Sequence, residues 1–443
     1  MHAAWGRALL PALSFIALTS LTGPLRAATY GAALTNLCDA VAGGGTPVNL
    51  DALCSGGGVI DGIPVDAVSF GSSLTPTDNL SSAIVSSDST QTTQSALQDR
   101  FDDQRLEQRP LPASAEGLVP TTGFFVTLKS VTGDRDNDRY RVPSTASDCN
   151  VANQELCAGD IETGFDYEYF SLLLGYDTRL NQDLIVGLAG TFSSGDSSAD
   201  GSASSSSFED LLFTAYANGF GPAGLYWDAS LGLGWGENSI RRALSYTMEV
   251  SNQAATFTNL ASGSPEKTLW SASAGLGKDF ALQAWTISPS LRVDWSQTDI
   301  DGYRETSTLS GVSDQVESLV IDNLLLRVDE QEVTTLSSRL SVDVTRAFSV
   351  SNGVVVPMLS LSWIKQYEDQ EELTSQFLFQ GSGDQSFKFT TETPELDDNY
   401  FSLGAGVSQT FPGGLTSFAL VETLLGHSDI SQFALSVGFR QDF

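Results

Sequence analysis

The sequence predicts an all-β chain, a twelve-stranded antiparallel barrel that crosses a membrane. Three observations carry this reading. Apolar and polar residues alternate with period two over segments of about ten residues, the length of a tilted bilayer-spanning strand. Aromatic residues gather at the segment ends, as they do at the two interfaces of membrane barrels. The faces opposite the apolar ones carry Asp228, Arg292, Asp294, Arg339, Asp343 and Arg440. Inside a packed sandwich each of these would cost several kcal/mol unless paired. On the wall of a wet lumen they are at home.

The pattern is clearest in three segments. Leu225, Trp227, Ala229, Leu231, Leu233 and Trp235 share one face, with Tyr226, Asp228, Ser230, Gly232 and Gly234 on the other. Trp285, Ile287, Pro289, Leu291, Val293 and Trp295 repeat it, interleaved with Thr286, Ser288, Ser290, Arg292 and Asp294. Pro357, Leu359, Leu361 and Trp363 repeat it again. Pro289 and Pro357 each remove a ladder donor, which is tolerated early in a strand. Twelve such segments centre near Phe125, Leu172, Leu188, Phe213, Leu231, Ala274, Leu291, Val342, Leu361, Ala405, Leu420 and Val437. An even count returns both barrel ends to the same side. The polar stretches 236–267 and 297–334 are expected as extracellular loops or strand extensions. Glycines 232, 234, 275, 277, 404 and 406 on the polar faces leave room for something inside.

Composition narrows the function. Acidic residues outnumber basic ones 54 to 22, for a net charge of −32. Phosphate backbones repel such a polyanion, so nucleic acid is excluded as a partner. Mean hydropathy is −0.04, and no run of about 18 apolar residues follows the N-terminus, which excludes a helical membrane protein. The two histidines, His2 and His427, leave no material for a histidine triad or a His-rich zinc site. No enzyme, metal or cofactor is expected.

Residues 1–27 read as a secretory signal, with Arg7 in the n-region, an apolar run from Ala8 to Leu21, and Ala27 and Ala28 at the cleavage site. The four cysteines, Cys38, Cys54, Cys149 and Cys157, all follow it. In an oxidising compartment the short loops favour two disulfides, Cys38–Cys54 and Cys149–Cys157; the spacing leaves other pairings open. Three zones then follow. Residues 28–80 contain Gly, Ala and Pro with little periodicity, residues 81–114 hold a polar run without Gly or Pro up to Arg109, and residues 115–443 carry the strands.

The chain ends on a distinctive strand. Phe433, Leu435, Val437, Phe439 and Phe443 share one face, against Gln432, Ser436, Gly438, Arg440 and Asp442. Such an ending resembles the assembly signal of bacterial outer-membrane barrels. Further stretches make the resemblance more specific: Gly133-Asp134-Arg135-Asp136, then Phe165-Asp166-Tyr167 leading to Leu172-Leu173-Leu174-Gly175-Tyr176. Val186-Gly187-Leu188-Ala189-Gly190, Tyr226-Trp227-Asp228 and Gly232-Leu233-Gly234-Trp235 follow. From Phe124 to Phe443 the chain resembles the autotransporter β-domain of type V secretion. The resemblance implies a twelve-stranded outer-membrane barrel, a helix through its pore, and insertion by the barrel-assembly machinery into outer-membrane lipid. It implies a monomeric barrel in a Gram-negative cell, with the N-terminal segment at the cell surface.

Residues 90–109 are the expected helix. Twenty helical residues span about 30 Å, the thickness of the bilayer core, and Arg109-Pro110 ends the run. Charges surround it, among them Arg100, Arg105 and Arg109, so it has no oily face to bury and suits a hydrated lumen. A solvated linker is the alternative. Ser and Thr at 86–93 weaken its start. Some members of the family cut themselves at an Asn in this helix. No Asn lies between Leu80 and Arg109, so no catalytic residue is carried over. Residues 28–80 form at most about two coils of a β-helix, fewer than a solenoid needs. They are either a small exposed knob stapled by cysteines or an extension of the plug.

Asp134, Asp136 and Asp138 space like an EF-hand, but Arg139 and Thr145 stand where Gly and a carboxylate belong, so a surface loop is expected. His427 reads as a turn residue before the last strand. The expected function is a barrel that inserts in the outer membrane and places its own short N-terminal segment outside. The alternative is a channel or adhesin-like barrel with acidic extracellular loops.

Overall fold

The computed structural model describes residues 58–60, 63–65, 67–70, 77–107, 122–141, 160–200, 203–250, 253–307, 325–367, 372–378, 388–392 and 397–443. One helix, α1 (Thr77–Glu107), precedes twelve long strands. These are β1 (Thr122–Arg141), β2 (Asp160–Asn181), β3 (Leu184–Ala199), β4 (Ser205–Phe220), β5 (Leu225–Val250) and β6 (Glu266–Lys278). Then come β7 (Trp285–Ile300), β8 (Gln331–Arg346), β9 (Gly353–Gln366), β10 (Asn399–Thr410), β11 (Leu415–Leu425) and β12 (Ile430–Asp442). Each pairs antiparallel with the next, and β12 returns to β1 with Asp442 opposite Gly123 and Val437 opposite Leu128. Every expected strand centre falls in its own strand. Closure leaves no edge through the barrel, so the ladder satisfies its backbone groups without water.

Alternation sorts the side chains by face. On β5, Leu231 is 69% exposed while Ser230 beside it is 4% exposed. The outward surface is an apolar girdle that includes Leu188, Phe213, Trp227, Trp235, Trp270, Leu291, Trp363 and Phe439. The buried side is polar, with Thr127, Ser171, Thr191, Thr214, Asn218 and Ser341 among its residues. Polar inside and apolar outside is the inverse of a water-soluble sandwich, and it is the arrangement that a lipid exterior favours. No described helix is long and apolar enough to cross a membrane, which says nothing of spanning strands. Pro289 and Pro357 are the fifth residues of β7 and β9, and each keeps its register, opposite Val342 and Val407.

The two ends differ. At one end the turns are short: two residues join β2 to β3, four join β4 to β5, and four join β10 to β11. At the other end β5 runs on to Val250 and forms a hairpin with Gln253–Gly263. The strand Thr306–Ser307 pairs along the far side of that hairpin, and Ala67–Phe70 pairs with its β5 side. A second sheet, Tyr303–Arg304, Leu326–Val328, Glu372–Phe377 and Lys388–Glu392, lies beside the same connections. Glu305 links the two sheets. It takes Arg242 Nε at 2.8 Å and Nη2 at 2.5 Å and accepts the Leu326 N–H at 2.7 Å. Stretches 236–267 and 297–334 are thus strand extensions and small sheets wherever they are described. The Asp134–Asp138 run is not the expected loop. It lies within β1, paired with β2 around a bulge between Arg135 and Asp138. The cysteines 38, 54, 149 and 157, the signal region 1–27 and Arg109 lie outside the described residues.

Candidate functional site: the helix-filled lumen

Helix α1 lies inside the barrel and packs mainly on β1 to β8. It begins at Thr77, thirteen residues before the expected start, and ends at Glu107. Serine and threonine are weak helix formers because their hydroxyls compete for the backbone. The lumen changes this balance. Ser89, Thr90, Thr92 and Thr93 are buried against the wall, and Thr92 Oγ1 shares a 2.7 Å hydrogen bond with Tyr169 Oη. Tertiary contacts override a propensity of a few tenths of a kcal/mol per residue.

The expectation that this helix has no oily face is also corrected. Val85 packs in a cluster with Val131, Phe165, Tyr167, Tyr169, Phe208 and Ala434. Ala96, Leu97 and Phe101 pack with Phe125, Leu173, Ala189 and Tyr216. These are two separate patches on different turns, so no continuous apolar stripe announces them in the sequence.

Direction follows from the contacts. Gln94 Nε2 donates to the carbonyls of Ala272 at 3.2 Å and Trp295 at 3.0 Å, partway along the barrel. Arg100 reaches Asp177, four residues before the end of β2. Arg105 reaches Tyr226 at the start of β5 and Asp343 near the end of β8. These positions descend toward the short turns. The C-terminus of α1 therefore points to the short-turn end, and its N-terminus to the end with long connections.

Three charged clusters fix the helix. In the first, Asp177 is the hub. Its Oδ2 accepts Arg100 Nε at 3.1 Å and Nη2 at 3.0 Å, Gln104 Nε2 at 2.8 Å and Tyr216 Oη at 3.0 Å. Its Oδ1 faces Arg440 Nη2 at 3.2 Å, and Arg440 also pairs with Asp442. In the second, Arg105 Nη2 bonds Asp343 Oδ2 at 3.0 Å and Asp102 at 3.1 Å, while its guanidinium lies 4.6 Å over the Tyr226 ring. In the third, Lys129 Nζ donates to Ser95 Oγ and Glu422 Oε2, both at 2.6 Å. Nearby, Arg292 pairs with Asp228 and with Asp294 at 2.8 Å, its guanidinium 5.7 Å over the Phe101 ring. Buried ion pairs add little net stability, since desolvation opposes attraction. What they do is select one depth and one rotation of the helix, because any other setting leaves a charge unpaired.

All six charges expected on the wall, Asp228, Arg292, Asp294, Arg339, Asp343 and Arg440, lie on the lumen side. Arg100 and Arg105 are the two expected helix charges that are described, and both meet the wall. Arg339 lines a gap of about 70 Å³ between the helix and β8 to β12, with Lys129, Glu422 and Tyr400. Another gap, near Phe101 and Gly275, holds about 20 Å³. Spaces of this size admit a few waters at most. Asp177, Lys129 and Glu422 were not singled out from the sequence. Their inward parity on β2, β1 and β11 is a signal that could have found them.

Asp397, His427 and Asp429 bring three possible metal donors within 4.8 Å of one another at the long-connection end. Their atoms already close the β11–β12 turn. His427 Nδ1 accepts the N–H groups of Asp429 and Ile430 at 3.3 and 3.2 Å, and Asp397 accepts the Ser428 N–H at 2.5 Å. That N–H holds the Asp397 carboxyl below its usual range. His427 is thus the turn residue its position suggested.

Comparison with known proteins agrees with this geometry. The sequence profile of the family described as Autotransporter beta-domain matches residues 152–422. Among solved structures, the chain is similar to the translocator domain of autotransporter NalP from Neisseria meningitidis. That match has a TM-score of 0.51 at 11% identity and covers 82% of this chain and 99% of that one. The beta domain of the Bordetella autotransporter Brka aligns at 18% identity over 73% of this chain and all of its own, with a TM-score of 0.42. No curated protein matches by sequence.

Proposed function

The chain belongs to the autotransporter beta-domain family, and from that premise we propose that this outer-membrane barrel carries its own short N-terminal segment through the lumen and keeps it at the cell surface. The observation that carries the reading is the direction of α1. Its N-terminus faces the long-connection end. In outer-membrane barrels short turns face the periplasm and long loops face outward. The strand Ala67–Phe70, paired with Tyr246–Glu249 on the β5 extension, supports retention at that same end.

The mechanism needs no nucleotide. Residues 1–27 direct export and are removed. The C-terminal strand, with Phe433, Leu435, Phe439 and Phe443 exposed on the outward face beside Val437, engages the barrel-assembly machinery. The chain before β1 passes through the nascent barrel as a hairpin, and closure of β12 on β1 satisfies the remaining ladder groups. Docking of α1 on Asp177, Asp343 and Lys129 then ends translocation with the lumen filled. The barrel acts as a monomer, the two cysteine pairs form structural disulfides, and no catalytic residue is assigned.

The test is an epitope inserted near residue 45, probed with antibody on intact cells and on cells with a permeabilised outer membrane. Labelling of intact cells is the expected result. Labelling only after permeabilisation would place the segment in the periplasm and overturn the export reading.

A further inference from the structure

The outward face of the barrel carries opposite charge at its two ends. Near the long connections, carboxylates stand directly opposite one another across strand pairs: Asp134 and Asp166, Glu168 and Asp196, Glu209 and Glu237. At the short-turn end the outward charges on β6 and β8 are basic. Lys278 ends β6 with its ammonium 5.0 Å from the centroid of the Phe280 ring. Arg346 ends β8 in direct register with Trp285. Its guanidinium lies 5.2 Å from the Trp285 centroid and 4.8 Å from that of Phe348.

Among the described residues the contacts of both cations are with rings and not with a carboxylate, in a chain with 54 acids and 22 bases. Two ring contacts of this kind take up none of the guanidinium N–H groups in bonds to oxygen, so those donors stay available to an anion. That planar fork matches a phosphate in two-point geometry. The rings themselves are lipid-facing: Trp285 is 46% exposed, Phe280 45% and Phe348 42%. Amphipathic aromatics of this kind sit at headgroup depth, where an arginine can place its charge beside the phosphate layer.

We propose that Arg346, clamped between Trp285 and Phe348, is a binding site for the phosphate of an anionic phospholipid in the periplasmic leaflet, with Lys278 extending the same basic patch. The leaflet assignment rests on the orientation given above; the site itself does not. A net-negative barrel approaches an anionic leaflet against repulsion, and a basic rim at this end, with the carboxylate pairs at the other, favours insertion one way up. The chemistry recognised is a phosphodiester bearing a net negative charge, as in phosphatidylglycerol.

Native mass spectrometry of the refolded full chain in detergent tests this, with dioleoyl phosphatidylglycerol and dioleoyl phosphatidylcholine added in turn. The wild type is expected to retain the anionic lipid about tenfold more strongly than the zwitterionic one, as fits a charge-assisted two-point contact. Arg346→Gln should bring that ratio close to one. Arg346→Lys should keep part of it, and Arg241→Gln at the far end should leave it unchanged. Folding of each variant is checked by heat-modifiable gel mobility. Should Arg346→Gln not fold, Trp285→Leu keeps the charge and removes one wall of the clamp, with a loss of about threefold expected. A wild type that binds both lipids alike overturns the site, and so does a folded Arg346→Gln, or in its place Trp285→Leu, that keeps the full preference. The surface-epitope experiment reports on orientation separately. Lipid preference without surface labelling would sink the export reading and spare the site; labelling without preference would do the reverse.

Discussion

Arg100 on the lumen helix and Asp177 on β2 form an ion pair of 3.0 Å in which each side chain is 1% exposed. They are 77 residues apart in sequence and meet only when the barrel is closed around the helix. Asp177 also takes Gln104, Tyr216 and Arg440, so the pair joins the helix to β2, β4 and β12 at once. Removing one partner of a buried pair costs roughly 3–5 kcal/mol, because the other charge stays behind. Asp177→Asn should therefore cost more than Arg100→Gln, since it weakens four donors rather than emptying one place. Urea unfolding in detergent measures the cost. Labelling of a cysteine at position 98 measures the release of the helix. A wild-type labelling rate in both variants would mean that this pair does not hold the plug.

At the long-connection end of the barrel, acid should loosen one turn. The Ser428 N–H favours the charged form of Asp397, so the folded state holds that pKa below its ordinary value of 3.8. The unfolded chain therefore binds a proton more readily than the folded one. Stability from this contact is fully present above the unfolded value and is lost as pH falls through the depressed folded value. The Ser428 amide resonance should shift with a midpoint below about 3.8. The Asp397→Asn variant should show no such step. A midpoint above 4 in the wild type would mean that the hydrogen bond does not favour the carboxylate.

The strands were legible because lipid outside and water inside impose a strict two-residue period on every spanning segment. Parity alone also placed Asp228, Arg292 and Arg440 in the lumen. It did not reveal Asp177 or Lys129 as partners of the helix, nor Glu422 as the partner of Lys129, because parity names a face and not the turn of α1 that meets it. The helix start was hidden for a related reason. The hydroxyls at 89–93 argue against a helix in water, and their partners, such as Tyr169, lie on strands far along the chain. The Asp134–Asp138 run misled in the opposite direction. Beyond the apolar girdle both faces of a strand can be wet, so the alternation that marks a strand disappears while the ladder continues.

Glycines 232, 234, 275, 277, 404 and 406 were expected to leave space for something inside the barrel, and at Gly277, as at Gly175, which was not among them, a neighbouring ring takes that space. A Cβ on Gly175 would lie 2.1 Å from the Phe125 ring, and one on Gly277 would lie 2.2 Å from the Tyr226 ring. In both cases an aromatic ring on the neighbouring strand folds over the glycine, at Phe125↔Gly175 on the β1–β2 pair and across β5–β6 at Tyr226↔Gly277. Phe125 lies flat against the wall in this way and still packs in the cluster that holds Leu97 and Phe101. Gly175→Ala should push the Phe125 ring toward the helix, and overpacking of this kind costs about 1–3 kcal/mol. The urea midpoint should fall accordingly, and α1 should become easier to release than in the wild type. Phe125→Leu added to Gly175→Ala should recover part of the loss, since the smaller side chain relieves the contact. If Gly175→Ala were as stable as wild type, the ring would have another place to go and the glycine would not be what sets the helix against β1 and β2.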